Sequence, residues 1–371
     1  MNGLKGATRS NIRQTMTIVS NNRPKYNEIR GWACHGKGEE LVPYSYPAGD
    51  LLSSDVEIEI SHCGICGSDI HTIDSGWFPT DYPCIVGHEM VGTVTAIGQA
   101  VKHLAVGDRV GVGAQCRACL QSDCFACSRG RDAHCPKATA TYNSKRAVDG
   151  AKSYGGYAEA VRVQAEYAFK IPESIPSEYA ASLLCAGTTV FSPMIRHNFS
   201  AGDSVAIMGI GGLGHLAVKF ASALGCEVTA ISHSSDKREE ALKMGATHFI
   251  DSSISEQVKA FRNKFKFMLI SSSADNLNFF TLNSLMDIDG KIIIVGLGEK
   301  PLCIIPFALV RKDISVVGSI IGSIKDVKYT LEFAAKHNIR PTIEEMPIDQ
   351  VNDAIERVRS GKVRYRVVLK N

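Results

Sequence analysis

The sequence predicts an α/β protein in two parts: a β-rich, barrel-like catalytic domain and a doubly wound parallel-sheet domain. Three observations carry this reading. From Arg30 to about Val163, short β-branched runs are separated by Gly and Pro. After Pro176, strand-like and helix-like segments alternate, as they do in a parallel sheet with crossover helices. The 371 residues are enough for two domains and a large buried core.

In the first part, "DVEIEISHCG", "MVGTVTAIG" and "GDRVGVGA" read as strands, and the Pro-rich "KIPESIPSEYA" punctuates the chain. "ASLLCAGTTVFSPMIRH" reads as one helix. "DSVAIMGIGGLG" is an apolar strand running into a glycine loop, and "HLAVKFASALG" is the helix after it. "EVTAIS", "THFID", "FKFMLISSS", "KIIIVG" and "DISVVGS" supply further strands, with "SDKREEALKMG" as a helix between the first two. From about Ser323, "VKYTLEFAAKHN" and "VNDAIERVRSG" read as helices and "YRVVLK" as a closing strand.

Composition excludes several classes. A net charge of +3 is too small to argue for nucleic acid or an anionic membrane surface. No apolar run approaches the roughly 20 residues that span a bilayer. Twelve cysteines without a secretory apolar stretch point to metal or redox chemistry in a reducing compartment rather than to disulfides. Residues 1–27 carry Lys5, Arg9, Arg13, Arg23 and Lys25 and no acid. A mitochondrial presequence has this composition, and so does a basic tail; a start at Met16 would remove most of the segment. The expected location is cytoplasmic, with the mitochondrion as the alternative.

The glycine loop is Gly209-Ile210-Gly211-Gly212-Leu213-Gly214. Glycines in this pattern allow a tight turn and close approach of a pyrophosphate, which then faces the N–H groups of a helix terminus. Because the loop follows a strand and opens a helix, it reads as the dinucleotide site of a Rossmann unit rather than a plain turn. An NAD-binding unit would normally end the next strand on Asp or Glu. Here the strand runs into Ser232-His233-Ser234-Ser235-Asp236-Lys237-Arg238, whose hydroxyls, imidazole and cations suit a 2′-phosphate. NADP(H) is therefore the expected coenzyme. Asp236 is expected to begin the following helix as its cap, and Lys237 and Arg238 could equally be a solvated helix face.

Cys116, Cys119, Cys124, Cys127 and Cys135 fall in a polar, turn-rich segment, with spacings that fold back into a closed tetrahedral zinc site. Five thiols compete for four positions. A third set is scattered: Cys66 in "CGICGSDIH", His88-Glu89 in "VGHEMVG" and Cys185 in "SLLCAG". A catalytic zinc needs such a mixture of thiolate and imidazole, but spacing alone does not assemble these pieces. His88 taken alone could be a satisfied core histidine.

Together with "LLCAGTTVFSPM", "GIGGLGH", "ISHSSDKREEALKMGA" and "VRYRVVL", these motifs resemble the zinc-dependent medium-chain alcohol dehydrogenases over about Arg30 to Lys370. Within that family the chain looks like the cinnamyl-alcohol-dehydrogenase branch, and is most similar there to fungal NADP-dependent members of broad specificity. The resemblance implies a GroES-like catalytic domain over 30–186 and 323–371, a Rossmann domain over 187–322, and a basic extension over 1–29. It implies two zincs per chain. Cys66, His88 and Cys185 would hold the catalytic one, with Glu89 beside it, Asp69 steadying His88, and Cys63 a buried bystander. Cys119, Cys124, Cys127 and Cys135 would hold the structural one, with Cys116 as a weaker alternative.

It also implies reversible hydride transfer between NADPH and an aldehyde, with a proton relay from Ser68 through the coenzyme ribose to His71. Gly209, Gly211, Gly212, Leu213 and Gly214 would hold the phosphates. Ser232, His233 and Lys237 would face the 2′-phosphate, and Thr189, Ser319 and Arg366 would touch coenzyme; Arg366 could instead be a strand-edge surface charge. Relatives usually carry Arg at the position of His233, and an imidazole holds phosphate less well than a bidentate guanidinium. Trp77 and Phe78 could line an apolar substrate cleft. Ala140 stands where plant cinnamyl enzymes carry a tryptophan, which implies a roomier pocket. A homodimer joined through the nucleotide-binding sheets, small aldehyde or alcohol substrates, and no nucleic-acid or membrane partner complete the expectation. Two competing classes fit less well: zinc-free quinone reductases lack the cysteine lobe, and a zinc-storage protein would not need Ser68 and His71.

Overall fold

A computed structural model describes residues 23–272, 278–298 and 300–371. Of the basic segment 1–27 on which the question of a presequence turns, residues 1–22 lie outside the described residues. No described helix is long and apolar enough to cross a membrane.

Two sheets organise the molecule. A six-stranded parallel sheet is built from Ser204–Met208, Glu227–Ser232, His248–Asp251, Phe265–Ile270, Met286–Ile294 and Ser315–Gly318. Numbered by sequence, its strands lie in the order 3-2-1-4-5-6, the arrangement of a dinucleotide-binding doubly wound sheet. Its central strands carry apolar stretches, Val205–Met208 and Phe267–Ile270, because helices cover both faces.

The second sheet is mostly antiparallel and has Asp55–Ile65 near its centre, paired with Met90–Ile97, Ala160–Gln164 and the final strand Arg366–Lys370. Ile343–Pro347 then adds parallel to the final strand. The segment from Ile343 to the end thus pairs back onto the N-terminal sheet. A hairpin of Glu28–Ala33 with Val42–Pro47 covers one side.

Several elements differ from the sequence expectation. The stretch after Cys66, for which no element is expected above, is a helix, Gly67–Ile73, with Cys66 as its N-cap and Asp69 in its first turn accepting the Cys66 N–H at 2.8 Å. The single helix expected over "ASLLCAGTTVFSPMIRH" contains a π turn at Leu183–Gly187 between α-helical Ser177–Ser182 and Thr188–Arg196. The Thr188 hydroxyl reaches back five residues to the Leu183 carbonyl, 3.1 Å away, and fills the widened turn. Asp236 is not a helix cap: it lies inside the 3-10 turn Ser235–Lys237, where the Ser234 hydroxyl donates to it at 3.2 Å.

Candidate active site and metal centres

Three distant segments bring one ligand atom each from Cys66, His88, Glu89 and Cys185 within 4.8 Å of one another. Cys66 follows the strand Asp55–Ile65 and caps the short helix, His88 follows a left-handed glycine, and Cys185 sits in the π turn. π turns recur at functional sites because they swing one side chain out of helical register. Gly87 (φ 103°) cannot be replaced without strain, and a Cβ there would lie 2.6 Å from the Tyr157 ring. His88 Nε2 lies 3.1 Å from Cys185 Sγ.

Electrostatics mark the cluster as a cation site. Its four members are buried. The Cys185 thiol beside it holds Cys66 well below the ordinary thiol range, with help from His88 and Arg366 and against burial. The same hydrogen bond and burial push Cys185 up, so the two sulfurs share one proton. Burial alone would push the His88 imidazole down, but Asp69 and Cys66 lift it well above its usual value. Burial raises Glu89 against the pull of Arg366. A bound cation would take the place of these shared protons.

Zinc fits this set. Tetrahedral Zn–S and Zn–N bonds of about 2.3 and 2.0 Å put neighbouring ligand atoms roughly 3.3 to 3.8 Å apart, close to the observed spacing. Glu89 Oε2 is buried without a hydrogen-bond partner, while Oε1 pairs with the Arg366 guanidinium. Arg366 is 5% exposed, so it is not the surface charge allowed as an alternative. A Cβ on Gly212 would meet Arg366 Nη1 at 2.9 Å. This one guanidinium therefore touches both the metal cluster and the glycine loop.

Ser68 and His71 sit three residues apart on the helix Gly67–Ile73 and so share a face. Cys66 Sγ is 3.7 Å from the Ser68 hydroxyl. The His71 ring stacks on Trp77 with centroids 4.2 Å apart. Phe78 is 76% exposed. Cys63 stays out of the cluster: its thiol faces the Gly64 carbonyl at 3.7 Å and burial pushes its pKa well up.

The cysteine lobe closes a second cluster from Cys119, Cys124, Cys127 and Cys135. Sulfur separations of 3.7 Å (Cys119–Cys127), 4.0 Å (Cys124–Cys135) and 3.4 Å (Cys119–Cys135) match the edges of an S4 tetrahedron. Cys116 lies apart, buried, with its thiol 3.5 Å from the Thr139 and Ala140 carbonyls. All twelve cysteines are free thiols.

At the glycine loop, a Cβ on Gly214 would lie 1.8 Å from the Gly209 carbonyl oxygen, so only glycine lets helix and strand approach there. A Cβ on Gly211 would meet nothing within 4 Å, which leaves room above the loop. Leu213 is the residue before the helix Gly214–Ala223. Ser232 ends its strand buried, His233 is exposed beyond it, and Lys237 Nζ donates to the Ile210 carbonyl at 2.7 Å. Thr189 is buried on the helix Thr188–Arg196, and Arg196 Nη1 donates to the Ser319 hydroxyl at 3.5 Å.

Residues 53–173 match the alcohol dehydrogenase GroES-like domain, and residues 212–336 match the zinc-binding dehydrogenase domain. Over 345 residues the chain is 39% identical to the probable cinnamyl alcohol dehydrogenase 9 of Arabidopsis thaliana, covering 92% of this chain and 95% of that protein. It is 40% identical over 342 residues to NADP-dependent alcohol dehydrogenase C of Mycobacterium tuberculosis, covering 92% and 98%. A cinnamyl alcohol dehydrogenase from Sorghum bicolor superposes with a TM-score of 0.89 at 37% identity, covering 92% and 97%. The chain belongs to the zinc-dependent medium-chain alcohol dehydrogenases, in the cinnamyl-alcohol-dehydrogenase branch.

Three neighbours of this dehydrogenase's site escaped the sequence reading. Tyr142 Oη lies 3.0 Å from His88 Nδ1, and Tyr157 donates to Asp69 at 3.1 Å. His215, directly after the glycine loop, is fully buried and neutral, its pKa pushed down to about 3 by burial. Its Nδ1 faces the Gly211 carbonyl at 3.1 Å, and its Nε2 accepts the Thr342 N–H at 3.3 Å. That fixes the loop to the residue leading into the strand Ile343–Pro347. Its only signal in the sequence is its place in "GIGGLGH".

Proposed function

We propose that this dehydrogenase is an NADP(H)-linked, zinc-dependent alcohol dehydrogenase and aldehyde reductase. Its substrates would be aromatic or medium-chain aliphatic aldehydes of the cinnamaldehyde type, and the corresponding alcohols, with broad specificity. The observation that carries the reading is the convergence of Cys66, His88 and Cys185 beside the Ser68–His71 helix face, joined through Glu89 and Arg366 to the glycine loop. Cys66, His88 and Cys185 would hold the catalytic zinc, and the cysteine lobe the second. When bound, the catalytic zinc supplies Lewis acidity toward a carbonyl oxygen.

The chain's own groups do the rest. Asp69 orients His88 through Nδ1, 2.9 Å away. Ser68 and His71, on one face of the helix Gly67–Ile73, would carry the proton between the buried site and the surface. Gly209 to Gly214 would hold the pyrophosphate, with Arg366, Thr189 and Ser319 as further contacts, and so would set the nicotinamide against the substrate. The small Ala140 side chain supports a roomy pocket.

NADP(H) is favoured because the strand Glu227–Ser232 ends without an acid, leaving Ser232, His233 and Lys237 to face a 2′-phosphate. Asp251, which pairs with Ser232 across the neighbouring strand, is already engaged by the Ser235 hydroxyl at 2.8 Å. A mycobacterial relative is named NADP-dependent, and a Helicobacter pylori relative (TM-score 0.86, 31% identity, covering 92% and 98%) was solved with NADP(H). Twelve free thiols suit a cytoplasmic setting.

The test is consumption of NADPH against NADH at equal concentration by zinc-loaded protein with cinnamaldehyde. The expected result is at least about tenfold preference for NADPH, worth about 1.4 kcal/mol. A preference for NADH would overturn the assignment at Ser232, His233 and Lys237.

A homodimer is part of the same reading. Ser315–Gly318 is an edge strand of the six-stranded sheet, and beside it in sequence Leu297, Phe307 and Val310 are 58%, 72% and 74% exposed. Such an apolar edge calls for a partner. Phe307→Asp with Val310→Asp is expected to convert a dimer into a monomer in sedimentation; an unchanged dimer would place the interface elsewhere.

A further inference from the structure

Asp69 is the most heavily bonded carboxylate of the site. Its Oδ1 accepts the Gly87 N–H at 3.1 Å and faces His88 Nδ1 at 2.9 Å. Its Oδ2 accepts the Cys66 N–H at 2.8 Å and the Tyr157 hydroxyl at 3.1 Å. Three of these donors belong to the segments that carry Cys66 and His88. The fourth comes from a separate segment, which Gly155, Gly156 and Tyr157 zip onto residues 85–87 through their N–H groups at 2.8 to 3.0 Å. Tyr157 is fully buried and its ring fills the space beside Gly87.

The geometry points to Tyr157 as a positioning residue for the catalytic metal, acting through Asp69. A carboxylate has two oxygens and pivots about its bond to Cβ. With Oδ2 pinned by Tyr157 and the Cys66 N–H, Oδ1 is left in the plane that holds the His88 ring, and Nε2 is aimed at the cluster. Removing the Tyr157 hydroxyl leaves Oδ2 with one donor, frees the pivot and loosens the ring that carries a ligand atom. Outer-shell partners of this kind change metal affinity about 10- to 100-fold. The inference rests on reading Cys66, His88 and Cys185 as zinc ligands.

The test uses Tyr157→Phe, which keeps the ring beside Gly87. Zinc release from the holoenzyme to a chromogenic chelator should show two phases, one from each cluster. The expected result is that one phase quickens at least about tenfold, that the other does not change, and that the visible bands of cobalt(II) in the fast-releasing site shift. In an Asp69→Asn background the same change should add nothing, because the hydroxyl acts through that carboxylate. Unchanged phases, equal quickening of both, an additive effect beside Asp69→Asn, or a variant that takes up neither zinc would each overturn it. A parent protein that releases only one zinc would instead sink the ligand assignment on which the inference stands.

Discussion

Cys66→Ser is expected to leave the fold intact, remove one of two zincs, and lower turnover of cinnamaldehyde with NADPH by at least about a thousandfold. Serine cannot replace the ligand, since a hydroxyl at this pH offers no anionic donor, whereas a cysteine in this cluster, its thiol pulled down by its neighbours, can bind zinc as thiolate. Lewis-acid stabilisation is worth several kcal/mol of barrier, which sets the scale of the loss. The fold should survive because Cys66 is also the N-cap of the helix Gly67–Ile73, and serine is a good N-cap. Cys63→Ser is the matched control: three residues away and equally buried, it should keep both zincs and near-parental rates. Zinc per chain and initial rates decide it. Two zincs and rates within tenfold of the parent in Cys66→Ser would remove this residue from the site.

That contrast between Cys63 and Cys66 shows where the sequence stops being readable. The doubly wound sheet was legible because each strand is a short apolar run next to a turn, and the glycine loop announces its own strand–loop–helix context. The cysteine lobe was legible because its ligands lie within 17 residues, so spacing constrains geometry. The catalytic cluster was not legible from spacing. Its ligands are 22 and 97 residues apart along the chain and meet only through tertiary structure, so the family resemblance alone supplied them.

Arg366 shows the same limit more sharply. In "VRYRVVLK" it looks like an edge charge, because the partner that makes its burial tolerable, Glu89, lies 277 residues earlier. The helix at Gly67–Ile73 is only seven residues long and opens on Gly-Ser-Asp, a sequence that also suits a turn. Asp236 missed its expected place because the strand is followed by a 3-10 turn capped at Ser234, which sets the helix start one turn later.

The cysteine lobe is expected to respond in the opposite way to the catalytic cluster. In Cys127→Ser, thermal stability should fall by roughly 10 °C, while freshly prepared enzyme at 25 °C keeps a turnover rate within a few-fold of the parent. The lobe is a run of turns and two short 3-10 segments, with Cys119, Cys124 and Cys127 only half buried, so little apolar packing holds it together without metal. Its buried Asp132 accepts the Ile324 N–H at 3.1 Å and the Tyr167 hydroxyl at 3.0 Å. The lobe thus clasps the N-terminus of the helix Ile324–Lys336. That helix packs against the π turn bearing Cys185, so an unclasped lobe loosens one wall of the catalytic cluster without touching its ligands. On warming, the variant should therefore lose activity well below the temperature at which the parent does. Calorimetry and activity after incubation at graded temperatures read this directly; a melting temperature equal to the parent's would mean that the lobe holds itself together without its fourth sulfur.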